Sequence, residues 1–142
     1  MPTIYSKRHP QRTNPLEFVV LQMGVPNKNG RTYLRQDVAP ALLKFNFNND
    51  PKFGVFKDDV GPGGTLPLNK VAFVSENVHI RGDKVYATVK PLKTPAGLVL
   101  EKLLALDLVE FRTLGTYSHL DNGCIKNWKL IAVVAMSKGE GA

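Results

Sequence analysis

Two periods of apolar residues divide this chain. Period-two stretches read as strands: Leu16 to Met23, Leu68 to Ile80, Val85 to Leu92 and Val109 to Ser118. In the third, Val85, Ala87 and Val89 point one way and Tyr86, Thr88 and Lys90 the other. The run Leu130-Ile131-Ala132-Val133-Val134-Ala135, within Trp128 to Met136, does not alternate and reads as a strand buried on both faces. Helical spacing appears twice. Val38, Leu42, Leu43 and Phe45 share a face of a segment from Asp37 to Phe45, with Asp37 expected as N-cap and Pro40 tolerated in the first turn. Thr94-Pro95-Ala96-Gly97 places a capping threonine before proline at the first helical position, and Leu98, Leu100, Leu103, Leu104 and Leu106 supply the apolar surface that follows.

Turn chemistry separates these elements. Asn27 to Tyr33 contains Asn29-Gly30, Arg81-Gly82-Asp83-Lys84 joins two strands, and Asp121-Asn122-Gly123 marks a hairpin. The stretch from Asn46 to Pro67, with Asn-Asn-Asp-Pro and Gly-Pro-Gly-Gly, reads as a long irregular loop holding at most a short strand at Phe53 to Phe56. The sum is a single α+β domain: a curled mixed β-sheet or β-barrel of about six or seven strands with two helices. We place an extended arm at residues 1–16, the folded domain at 17–137 and a loose tail at 138–142.

Composition narrows the partners. The chain has 142 residues, 43% of them hydrophobic, enough for a real core. Its formal charge is +7, and Lys7, Arg8 and Arg12 lie in an arm without acids. Such an arm suits an acidic partner or nucleic acid, or is a solvated terminus. The basic residues are not interleaved with aromatics on one strand face, which argues against nucleic acid. Cys124 is the single cysteine, so no intrachain disulfide forms. No apolar run approaches a membrane span and the N-terminus is polar and basic, so no membrane partner is expected and synthesis in the cytosol is.

Several motifs recur in a definite order. They are Asn27-x-Asn29-Gly30-Arg31-x-Tyr33 after a strand, Gly82-Asp83-x-Val85-Tyr86 in a hairpin, Thr94-Pro95-x-Gly97 opening a Leu-rich helix, and the final apolar strand. In this order, over roughly residues 18–137, they resemble the prohead (capsid-maturation) proteases of tailed bacteriophages. The resemblance implies a protease-like fold and a serine, histidine and acid acting together. Serine needs an imidazole to remove its proton, and the imidazole needs an orienting carboxylate. The family's histidine region corresponds to Phe53 to Val60, which has no histidine. Glu110 and Phe111 stand where its serines would be, and its acid falls at Ala135. All three roles are expected to be absent.

No substitute site is expected either. Ser118 and His119 are neighbours in a predicted strand and should face opposite ways, out of hydrogen-bonding reach. His79 reads as hairpin packing, Cys124 as a small thiol, and Arg31 and Arg112 as structural ion-pair partners. Gly61-Pro62-Gly63-Gly64-Thr65 lacks the ending of a P-loop, Asp58-Asp59 reads as solvated, and three scattered histidines do not make a zinc site. No cofactor or metal is expected.

The expected function is therefore that of a phage virion structural protein, a catalytically inactive protease-like fold serving as a head decoration or cement protein. Its partners would be the major capsid protein or other head proteins, and its place the virion head; a homo-oligomer is compatible with the sequence. Contacts are expected from Ile4, Tyr5, Lys7, Arg8 and Arg12 of the arm, and from Phe53 and Phe56 in the loop to Pro67. An active prohead serine protease with a displaced triad and a small basic nucleic-acid-binding module are the alternatives.

Overall fold

A computed structural model describes residues 16–139. The arm residues Ile4, Tyr5, Lys7, Arg8 and Arg12, and the tail from 140, lie outside the described residues. The elements run β1 (Glu17–Gln22), α1 (Arg35–Phe45), β2 (Lys52–Phe56), β3 (Phe73–Arg81), β4 (Lys84–Pro91), α2 (Pro95–Ala105), β5 (Val109–Thr116), β6 (His119–Asp121), β7 (Cys124–Lys126) and β8 (Lys129–Ser137). This is the expected α+β domain. Six strands form a mixed sheet in the order β1-β4-β3-β2-β8-β5, and β6 and β7 form a separate hairpin. The sheet curls until its two ends meet: the Phe18 ring of β1 lies 4.7 Å from the Phe111 ring of β5. The core inside this curl includes Val20, Phe73, Val85, Val89, Phe111 and Val133.

Burial follows the alternation in part. Val85, Ala87 and Val89 of β4 are buried and Lys90 is exposed, but Thr88, assigned to the same side as Lys90, is buried as well. The β8 residues from Ala132 to Met136 are all buried, because β8 lies between β5, antiparallel to it, and β2, parallel to it. In β3 the register shifts between Glu76 and His79, where Asn77 takes φ 51°. Beyond that bulge His79 stands opposite Tyr86 and stacks on it, and the Arg81 guanidinium lies 3.9 Å over the same ring.

Four expectations about local structure need correction. Helix α1 starts at Arg35 behind Leu34, which makes no side-chain cap, so Asp37 is not the N-cap. It lies in the first turn, where a carboxylate complements the helix dipole, and pairs with Lys126 at 3.3 Å. With the earlier start, Pro40 falls inside the helix, past its first turn. The short strand expected at Phe53 to Phe56 is present as β2, but as a central strand, antiparallel to β3 and parallel to β8. The strand expected from Leu68 begins at Phe73, because Leu68–Lys70 forms a 3-10 turn. Finally, Leu98 and Leu106 are exposed; α2 buries Gly97, Leu100 and Leu104 instead.

The start of α2 follows expectation. Thr94 Oγ1 accepts a hydrogen bond from the Gly97 N–H (3.0 Å) and donates to the Val71 carbonyl (2.6 Å), with Pro95 in the first turn. Gly97 is needed for close approach: a Cβ there would overlap the Leu92 carbonyl oxygen. The helix thereby packs against β4 and β5.

Candidate functional site

The Asn27 to Tyr33 loop is built from its own side chains. Asn27 Oδ1 accepts from the backbone N–H groups of Asn29 (2.9 Å) and Arg31 (3.0 Å). Gly30 supplies the φ of 75° that closes the turn. The loop then docks on the β6–β7 hairpin: the Thr32 N–H donates to the Gly123 carbonyl, and the Ile125 N–H to that of Thr32. Tyr33 packs edge-on against Trp128 at 5.4 Å. Arg31 lies over the Tyr117 ring (5.4 Å) rather than in the expected ion pair. Arg112 does pair as expected, with Glu110 at 3.3 Å. In the β3–β4 turn, Gly82 has φ 66° and the Asp83 carboxylate accepts from Gln22 Nε2 at 2.9 Å. That bond, with Lys84 beside it, lowers the Asp83 pKa below the ordinary value. These motif residues hold connections together, and Asn27 and Tyr33 line one cavity of about 440 Å³ with Gln22 and Arg112.

Burial raises the Tyr33 phenol above its usual range, opposed by the Arg31 charge. The unfolded chain would therefore lose this proton first as pH rises. The neutral buried phenol contributes stability that is fully present below about pH 10 and is lost as pH climbs through the raised folded value. Phenolate absorbance in the folded protein should show one tyrosine titrating later than in urea, and Tyr33→Phe should flatten the alkaline loss of stability. Titration of all tyrosines together at the free-phenol value would contradict this.

Positions implied by the resemblance do converge. In the register of the sheet, Phe56 of β2 stands opposite Ala135 of β8, and Ala135 stands opposite Phe111 of β5. The histidine region, the acid position and the serine position thus meet in one row across three adjacent strands. The row is apolar. Phe111 is 1% exposed and Ala135 fully buried, and Phe111 packs edge-on against Phe73 at 5.3 Å. Phe56 is half-buried against the core, and Phe53 is half-buried as well. Beside the row a cavity of about 60 Å³ touches Phe56, Asp58, Ala135 and Ser137. Small-molecule sites run to about 300–1,000 Å³. Glu110 stands opposite Met136, with its carboxylate held by Arg112.

Serine and histidine meet elsewhere, in two places. A groove of about 1130 Å³ is lined by Ser75, His79 and Glu17, among other residues. There the Ser75 hydroxyl donates to the Lys52 carbonyl (3.3 Å). His79 Nδ1 lies 2.5 Å from the Asn77 carbonyl and Nε2 faces Glu17 at 3.9 Å. Both imidazole nitrogens are thus directed at groups other than Ser75. The second place corrects the sequence expectation: Ser118 Oγ lies 2.7 Å from His119 Nδ1. Strand alternation does not apply, because Ser118 sits in a bend between β5 and β6. Asn127 Nδ2 also donates to Ser118 Oγ (2.9 Å). Both Ser118 and His119 are exposed, and among the described residues no carboxylate orients the imidazole. Among those residues, too, no cluster of three or more His, Cys, Asp or Glu is placed to hold a metal, and no helix is long and apolar enough to cross a membrane.

The chain matches no protein-family model, and no curated protein matches it. Among solved structures it is similar to the capsid assembly protease gp21 of bacteriophage T4, with a TM-score of 0.69 and 20% sequence identity, covering 84% of this chain and 79% of that one. The fold is protease-like.

Proposed function

We propose that this chain is a phage virion structural protein: a protease-like fold that binds capsid subunits, as a head decoration or cement protein, and does not cut peptide bonds. One observation carries the reading. Phe56, from the region that the resemblance assigns to histidine, meets Ala135 at the acid position and Phe111, one of the two serine positions, in a single row, in which Ala135 and Phe111 are core and Phe56 is half-buried against it. A core row offers neither a proton acceptor nor room for a peptide. The similarity to a capsid assembly protease supports a phage-head setting. The basic arm with Ile4, Tyr5, Lys7, Arg8 and Arg12, and the Phe53 to Pro67 segment, supply contact groups. Copies repeated on a symmetric shell make weak single contacts sufficient.

The Ser118–His119 hydrogen bond favours a second reading, a protease with displaced catalytic groups. Without a carboxylate behind His119 and with both side chains in water, the serine is not activated as in a triad. The stoichiometry of the chain in purified virions tests the structural role. Many copies per head are expected; absence from the virion would overturn it.

A further inference from the structure

Helix α2 is apolar on the side that should be polar. Its buried face is Gly97, Leu100 and Leu104, directed at the sheet. At 3.6 residues per turn, Leu98, Val99, Lys102 and Leu106 fall on the opposite side. Leu98 is 49% exposed, Val99 52% and Leu106 62%, and Leu108, just past the helix, is 51% exposed. A surface helix ordinarily turns charged residues outward, and one that is apolar all round is ordinarily buried. Lys102 is the one charge on this outward side, and no acid among the described residues pairs with it. Glu101, the acid next to it in sequence, pairs with Lys93.

Resting on the proposed binding role, we propose that the outward face of α2 is the surface that meets the capsid shell. It takes an apolar stripe of a capsid subunit that carries a carboxylate opposite Lys102. The charge favours this occupant over a second copy. A copy would bring another Lys102 face and another net charge of +7, whereas an acidic partner neutralises both. Val99, Lys102 and Leu106 also stand at i, i+3 and i+7, within the anchor spacing by which a helix engages a groove.

The test uses the full chain and head shells prepared from phage lacking it, with bound protein measured by sedimentation. The wild type should co-sediment. Leu98→Asp combined with Leu106→Asp should lose at least tenfold in affinity, and Lys102→Glu several-fold, while Leu43→Asp, at an exposed site on α1, should bind as the wild type does. Circular dichroism melts establish that each variant is folded, since all four positions are exposed. Folded α2 variants that bind like the wild type would overturn this inference and leave the binding role standing. A wild type that does not bind would overturn both. A wild type that dimerises without shells through this face, with the α2 variants monomeric, would assign the face to a second copy and overturn the proposal.

Discussion

Phe111→Ala should destabilise the folded chain by about 3–5 kcal/mol, the range for removing a phenyl ring from a packed core. The ring is 1% exposed and touches Phe18 on one side and Phe73 on the other. It joins the two ends of the curled sheet, which no strand pairing joins among the described residues. The loss should therefore loosen the seam between β1 and β5 as well as leave a cavity. Urea denaturation reads the difference as a lower midpoint, and hydrogen exchange should show faster exchange in both strands. The sign discriminates between accounts. Residues of a working catalytic cleft are commonly held at some cost to stability, and replacing them tends to leave stability unchanged or raise it. A Phe111→Ala variant as stable as the parent would mean that position 111 is not core.

Ala135→Asp should be as damaging, by a different mechanism. Ala135 is fully buried between Phe56 and Phe111. A carboxylate there would have no cation within the apolar row, and an uncompensated buried charge costs about 3–5 kcal/mol. The pH dependence identifies the cause. Burial raises the folded pKa of the introduced carboxyl above the unfolded value near 3.9. The penalty should be smallest below about pH 4, where both states are protonated, and grow as pH rises and only the unfolded chain ionises. A variant equally stable at pH 4 and pH 7 would show that an acid is accommodated at this position, as a catalytic cleft would accommodate it.

Local chemistry made part of this fold readable. The Thr94-Pro95 start of α2, the Gly82 turn and the Asn122-Gly123 hairpin rest on residues whose conformational preferences are strong by themselves. The doubly buried β8 was readable because an unbroken apolar run excludes a solvent face. Strand β2 was readable only as a short strand at Phe53 to Phe56 between Asn-Asp-Pro and Gly-Pro segments, not as a central one. Its place in the sheet comes from pairing with β3 and β8, distant in sequence. Helix α1 begins earlier than its capping chemistry suggested, behind Leu34 without a side-chain cap, and Asp37 instead pairs with Lys126 of the β6–β7 hairpin, another long-range contact.

The candidate site divides in the same way. Ala135, the Glu110-Phe111 pair and the region Phe53 to Val60 were identifiable by order along the chain, but the meeting of Phe56 with Ala135 and Phe111 depends on β2, β8 and β5 lying side by side, which only the register supplies. The Ser118–His119 bond was excluded by a strand rule that fails where the chain bends. The apolar outward face of α2 was visible as an excess of leucines, but which of them face water depends on where the helix meets β4 and β5.

Quantitative mass spectrometry of purified virions tests the proposed structural role most directly. The account predicts the intact chain in a fixed, high copy number relative to the major capsid protein in mature heads. A chain absent from mature heads, or present only in assembly intermediates and lost at maturation, would contradict it.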